Sequence, residues 1–203
     1  MKSLSFRVAE RQRVDTGPCA VRLAGERISE TGRNGPVSEN RRIRSAFGRC
    51  LDDFEVGDIY EHWPGRTITQ TENIQMSLLT MNQHPAHCDT AYAEGTEFGK
   101  PLVNSCFTLA IVTGMSVQDV SGLAIANLGW KDVKLLAPVF PGDTLYAESE
   151  VLEKRASRSR PGQGIVRVRT RGTKQTGETV MEFERAVLVP TRASLDASTG
   201  PAA

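Results

Sequence analysis

The stretch Asn82 to Ser105, NQHPAHCDTAYAEGTEFGKPLVNS, holds two of the three histidines of this 203-residue chain, His84 and His87, with Pro85 between them. Imidazole titrates near neutral pH, so such rings can take up and return a proton under ordinary conditions. No carboxylate precedes His87 closely enough in sequence to orient its ring. Asp89 follows by two places and is well placed to cap the next turn, TAYAEG. Asn82 opens the stretch. A carboxamide can hold a water or start a turn, but it cannot serve as acid or base. Cys19, Cys50, Cys88 and Cys106 are scattered without C-x-x-C spacing. That argues against a metal site or a disulfide framework and for a reducing, cytoplasmic setting.

The histidine stretch needs elements to position it. Ser105 to Val117, SCFTLAIVTGMSV, is apolar or small on every side, which predicts a helix buried all round. Gly114 costs about 1 kcal/mol against alanine inside such a helix, so a packing reason is expected there. Upstream, DIYEHWPGRTIT predicts a strand interrupted at Pro64-Gly65. Thr71 is then expected to cap a short helix whose apolar side is Ile74, Leu78 and Leu79. Downstream the pattern turns to strands: AIANLGWKDVKLL, LYAESEVLEKR, GIVRVRTRG and TVMEFERAVLVP. In IVRVRTR, Val166 and Val168 share one face and Arg167, Arg169 and Arg171 the other. One buried helix followed by antiparallel strands is an α+β fold, a sheet wrapped on a helix.

Length and charge bound the rest. A chain of 203 residues suits one domain with a real core. No run approaches the roughly 18 consecutive apolar residues of a membrane span, and the first residues lack the apolar segment of a secretory signal. Residues 1–49 carry 11 Lys/Arg against 5 Asp/Glu, and the remainder 14 against 19. Residues 1–50 are accordingly expected to be a disordered basic arm, too polar to fold alone and without the interleaved aromatics of a nucleic-acid surface. Deleting residues 1–45 should leave stability and turnover unchanged. A single domain is expected over 51–190 and a flexible tail over 191–203.

The histidine stretch resembles the signature of the MaoC-like hydratases of the hot-dog fold. That signature reads D-x-N-P-x-H, then an acidic residue, Y-A, a Phe-Gly pair and small residues leading into the central helix. Asn82, Gln83, His84, Pro85, Ala86 and His87 stand in its first positions. Asp89, Tyr92-Ala93, Phe98-Gly99 and Lys100-Pro101 follow in step, and PVFPGDTL (Pro138 to Leu145) matches the family's turn into its third long strand. HWPGRTI, LVNS and ANLGW further resemble a subgroup acting on short branched dicarboxylic acyl-CoAs of the itaconyl/mesaconyl type.

The resemblance implies reversible addition of water across the 2,3 double bond of an enoyl-CoA. The CoA thioester is then the substrate and no cofactor is needed. Such chemistry wants a base for water, an acid for the α-carbon and a donor for the thioester oxygen. His87 is the candidate for both proton transfers. The N-terminus of the central helix supplies the donor, and alignment with the family points to the Ser105 backbone amide. The family's catalytic Asp is here Asn82, which either holds the attacking water or serves the turn. His84 stands for the family's Asn, as a second proton carrier or a hydrogen-bonding substitute. Asn104 stands for a family His and offers a second hydrogen bond to substrate. Asp89 is a helix cap or an auxiliary catalytic group. His62 and Arg66 either read a substrate carboxylate or mark an exposed strand end. The arginines between Arg155 and Arg171 meet CoA phosphates or form a solvated hairpin face.

Two other functions compete. A hot-dog thioesterase would want a carboxylate near or on the central helix, and Ser105 to Gln118 contains none. A non-catalytic acyl-CoA-binding subunit would explain Asn82. One hot-dog unit leaves a sheet edge and the mouth of its site incomplete, so a homodimer or higher homo-oligomer is expected, with no nucleic acid or membrane as partner.

Overall fold

The computed structural model describes residues 47–199, so the expected arm lies outside the described residues up to position 46. Five strands form one antiparallel sheet: β1 (Ile59–Thr67), β2 (Ala126–Leu135), β3 (Thr144–Ala156), β4 (Gln163–Lys174) and β5 (Thr179–Pro190), in the order β1-β3-β4-β5-β2. Helices α1 (Gln70–Leu79), α2 (Pro85–Cys88), α3 (Thr90–Glu94) and α4 (Ser105–Met115) lie between β1 and β2 in sequence, and α5 (Arg192–Thr199) closes the described chain. The sheet wraps α4, as the α+β pattern predicts. This is the hot-dog fold.

Alternation decides which face of the sheet meets the helix. In β4, Val166, Val168 and Thr170 are fully buried while Arg167, Arg169 and Arg171 face outward. Register places those arginines beside glutamates on both neighbouring strands. Arg169 reaches Glu150 at 3.2 Å, Arg171 reaches Glu148 at 3.1 Å and Arg167 reaches Glu184 at 3.1 Å. Each guanidinium is therefore engaged within the sheet, on the solvated face. Pairs this exposed contribute about 0–1 kcal/mol each, so the face keeps the sheet wet rather than holding it together. On the inner face Ile111 and Val112 of α4 join Leu145, Val180, Met181 and Phe183 in one core cluster. The approach is close: a β-carbon on Gly172 would stand 2.7 Å from Val112 Cγ2. Only glycine fits there without moving the helix.

Four local expectations differ from the structure. First, β1 runs through Pro64-Gly65. A register shift between His62 and Arg66 absorbs the proline, with a cis peptide at Trp63–Pro64. Second, α1 is capped by Thr69 rather than Thr71. Thr69 Oγ1 accepts the Glu72 N–H at 3.3 Å, and the Glu72 carboxylate accepts the Thr69 N–H at 3.0 Å, a reciprocal capping box. Third, among the described residues α4 is covered on one side only. Thr108, Ile111 and Val112 are buried, whereas Ser105, Cys106, Ala110 and Gly114 are exposed. Apart from its chain neighbours and its own helix backbone, no heavy atom of the described residues lies within 4 Å of where a Gly114 β-carbon would stand, so the packing reason expected there is not found among the described residues.

Fourth, both domain boundaries move. Cys50 is fully buried and the Gly48 N–H donates to the Gln118 carbonyl at 2.9 Å, so the body includes residues 47–50. Part of the expected tail is helical, because Asp52 and Asp53 hold its start: the Arg192 N–H donates to Asp52 Oδ2 at 2.7 Å and its guanidinium to Asp53 at 2.6 Å.

Candidate active site

His87 rides on a single helical turn. Pro85 occupies the first position of α2, where a missing N–H costs nothing. His84 precedes it as the cap, its Nδ1 accepting the Ala86 N–H at 3.2 Å. Asn82 Oδ1 accepts the His84 N–H at 3.2 Å, which folds the chain into that cap. Asp89 ends α2 and begins α3, its Oδ1 accepting the Tyr92 N–H at 3.0 Å. The small motif is thus a chain of local hydrogen bonds that presents one ring.

That ring is oriented by main chain. His87 Nδ1 lies 2.9 Å from the Leu102 carbonyl oxygen. A carbonyl can only accept, so Nδ1 carries the proton in the neutral ring and Nε2 keeps a lone pair. Nε2 has no acceptor or donor among the described residues. The backbone carbonyl supplies the orientation for which the sequence offers no carboxylate. His87 lines a pocket of about 410 Å³ whose walls include Phe98, Val103, Leu136, Val139 and Val180. Ser105 and Thr108 are the hydroxyl-bearing residues of that wall, and His87 is its one titratable group among the described residues.

The N-terminus of α4 opens on the same pocket through Ser105. Asn104 caps the helix, its Oδ1 accepting the Cys106 N–H at 2.9 Å. Ser105 is the first helical residue, and its own N–H has no acceptor among the described residues. One free backbone donor at the positive end of a helix therefore shares a pocket with a free imidazole nitrogen.

The remaining predicted residues are placed elsewhere. The Asn104 side chain is 1% exposed and spent on the cap and on a 3.3 Å bond to Ser77 Oγ, so it does not reach the pocket. Arg66 lines a separate depression beside Trp63 and Phe107, and its guanidinium is bound by Glu72. His84 is exposed, with its ring centroid 5.9 Å from that of His87.

His62 is 4% exposed, and both of its nitrogens are engaged. Nδ1 meets Asp119 Oδ2 at 2.9 Å and Nε2 meets Ser149 Oγ at 2.8 Å. Asp119 also faces Arg49 at 3.8 Å, so this group ties β1 to the π-helical turn Val117–Ser121. Burial holds the His62 pKa below its ordinary 6.5, outweighing the Asp119 carboxylate beside it. The unfolded chain therefore binds a proton here at higher pH than the folded chain does. The stability this ring contributes is complete above about pH 6.5 and is lost as pH falls through the native value. Wild-type Tm should therefore fall more steeply below pH 6.5 than that of His62→Gln, although the variant starts lower at neutral pH. Parallel curves would show that this titration does not govern acid stability.

The residues that periodicity misses lie on α1. Its buried face is Asn73 and Ser77, with Gln70 half-buried, while Leu78 and Leu79 are exposed. Positions 70, 73 and 77 form one helical stripe, so the available signal is a polar stripe at helical spacing. It turns inward because the loop carrying His87 brings buried backbone groups that need partners. Among the described residues no three His, Cys, Asp or Glu side chains gather as a metal site, and no helix is long and apolar enough to cross a membrane.

Comparison with known proteins agrees with this architecture. The family model for mesaconyl-CoA hydratase matches residues 38–203. The chain belongs to the mesaconyl-CoA hydratase family. A mesaconyl-CoA hydratase of Cereibacter sphaeroides is 34% identical over 150 residues, 74% of this chain and 43% of that protein. The (R)-specific enoyl-CoA hydratase of Aeromonas caviae is 30% identical over 56% of this chain and 81% of its own length. Among solved structures, a putative MaoC domain protein dehydratase from Chloroflexus aurantiacus superposes with a TM-score of 0.71 at 30% identity, covering 80% of this chain and 45% of that one. A Mycobacterium tuberculosis protein described as a double hot-dog shares the fold at 21% identity and TM-score 0.63, with 44% of its length covered. This family member thus spans less than half the length of the mesaconyl-CoA hydratases it matches.

Proposed function

We propose that this chain adds water reversibly across the 2,3 double bond of a short enoyl-CoA, mesaconyl- or itaconyl-CoA being the preferred class. The observation that carries the proposal is the pairing, in one apolar pocket, of an unengaged His87 Nε2 with the unengaged Ser105 N–H. Nε2 takes a proton from water as the water oxygen bonds to C3. The π electrons move to C2 and onto the thioester oxygen, whose charge the Ser105 N–H and the α4 dipole stabilise. The imidazolium returns the proton to C2, which restores the thioester and leaves His87 neutral. Atoms and charge balance with CoA thioester and water alone, so the chemistry asks for no cofactor. The relatives' names favour a dicarboxylic acyl group. Among the described residues no cation lines the pocket, and a substrate carboxylate reaching Arg66 would have to displace Glu72.

Incubation with mesaconyl-, itaconyl- and crotonyl-CoA, following loss of enoyl absorbance and the hydrated product, tests this reading. Release of free CoA thiol instead would mark a thioesterase, and binding without turnover an acyl-CoA-binding subunit. Asp119 lies beyond α4, engaged by His62 and Arg49, which leaves a thioesterase without its carboxylate at the pocket.

We assign Asn82 to the turn rather than to the water. Asn82→Ala removes the acceptor for the His84 N–H and should cost about 1 kcal/mol, a few degrees in Tm. Turnover should fall by less than about tenfold, because proton transfer by His87 remains. Asn82→Asp keeps the acceptor and should keep both stability and turnover. A loss in Asn82→Ala as deep as that in His87→Ala would give Asn82 a direct part in the chemistry.

We further infer that two copies pair. Strand β2 is a sheet edge carrying exposed Leu128, Trp130, Val133 and Leu135, and Leu135 also walls the pocket. The exposed small face of α4 is likewise suited to close approach by a second helix. Relatives of about twice the length are consistent with two such units acting together. Light scattering should give a mass of twice 22.2 kDa or a higher even multiple. A monomer that retains full turnover would reject the pairing.

A further inference from the structure

We propose that Asn73 is the positioning residue that holds the His87 ring and the first turn of α4 in register. As a statement about catalysis, the proposal rests on the hydratase reading. Asn73 is fully buried on α1, and its carboxamide stands between both halves of the site. Nδ2 donates to the Leu102 carbonyl at 2.9 Å, with the His87 carbonyl and Gln70 Oε1 both at 3.2 Å. Oδ1 accepts the Asn104 N–H at 2.9 Å. The Leu102 carbonyl is the same oxygen that accepts from His87 Nδ1. The Asn104 N–H belongs to the residue just before the Ser105 donor. One side chain therefore fixes the acceptor that sets the His87 tautomer, the main chain that carries His87, and the peptide that leads into the oxyanion donor.

Only a carboxamide of this length offers donors and an acceptor at those points. Aspartate has the same shape, but it turns acceptor oxygens toward two carbonyls. Serine is shorter and brings a single donor. The base and the oxyanion donor must sit on opposite sides of one small reacting group. A displacement of about 1 Å between them can cost up to about 100-fold in rate. Ser77, on the same buried face, contacts only the Asn104 side chain among these groups and provides the contrast.

The test combines kinetics with ¹⁵N-histidine NMR, in which His62, His84 and His87 are assigned by single substitutions. In the wild-type protein His87 should appear as the Nδ1–H tautomer with a slowly exchanging proton. In Asn73→Asp, and in the smaller Asn73→Ser, that proton should exchange faster and the tautomer become mixed. kcat for enoyl-CoA hydration should fall between about 10- and 100-fold, with KM changed by less than about threefold. Ser77→Ala should lower Tm and leave the His87 signal and kcat in place. An Nε2–H tautomer in the wild-type protein overturns the proposal with no variant needed. So do Asn73 variants that lose Tm but keep both the His87 signal and kcat. If the wild-type protein hydrates no enoyl-CoA, the hydratase reading fails, and the tautomer measurement still decides the role of Asn73.

Discussion

Replacing His87 by alanine should lower kcat/KM for enoyl-CoA hydration by about 10²–10⁴-fold while the protein stays folded. The size follows from the absence of a substitute. Among the described residues no other titratable side chain lines the pocket, and Thr108 and Ser105 carry hydroxyls far too weakly basic to take the proton. His84 is the nearest imidazole, but its Nδ1 is occupied by the Ala86 N–H and it faces solvent. The fold survives because the His87 ring contributes a single hydrogen bond, to Leu102, worth about 1 kcal/mol. Asn73 continues to satisfy that carbonyl, and Gln70 Nε2 continues to hold the residue 87 carbonyl at 3.0 Å. Initial rates on the preferred enoyl-CoA, with circular dichroism at the same concentration, check both halves. Full turnover by a folded His87→Ala protein would remove His87 from the chemistry.

The sheet was legible in the sequence because one face of each long strand is apolar and the other charged. In β4, Val166, Val168, Arg167, Arg169 and Arg171 declare their faces by simple alternation, and the glutamates of β3 and β5 answer them. The motif from Asn82 to Ser105 was legible for a different reason. Capping residues, proline and glycine act over three or four positions, so the turn that presents His87 is written locally. What was not legible depends on contacts distant in sequence. The inward face of α1 is polar because Leu102 and Asn104, some thirty residues on, bring backbone groups that Asn73 satisfies. His62 reads as a strand-end histidine until Asp119 and Ser149 are folded onto it. The exposed side of α4 reads as buried because its apolar and small residues anticipate a neighbour that is not found among the described residues.

The second large effect concerns a donor with no side chain of its own. Ser105→Pro deletes one N–H and little else. Proline is favoured at the first helical position, where that N–H has no partner inside the helix. The residue before a proline is disfavoured in the helical region, and Asn104 already stands outside it, with φ −57° and ψ 126°. The Asn104 carbonyl would still accept the Thr108 N–H at 3.0 Å and its side chain the Cys106 N–H, so the cap survives. Loss of a single oxyanion donor typically lowers kcat by about 10²–10³-fold, and that is the expected loss here, with Tm within a few degrees of wild type. Ser105→Ala keeps the N–H and should stay within about threefold of wild-type turnover, since the hydroxyl takes no part in the step as written. A saturated acyl-CoA develops no enolate charge, so its affinity separates the lost donor from a simple obstruction by the proline ring. If obstruction dominates, that affinity falls as far as kcat/KM does. If the missing donor dominates, it changes by less than about tenfold while hydration nearly stops. Wild-type rates in a folded Ser105→Pro protein would move the oxyanion site away from the N-terminus of α4, and the hydratase geometry would have to be rebuilt around another donor.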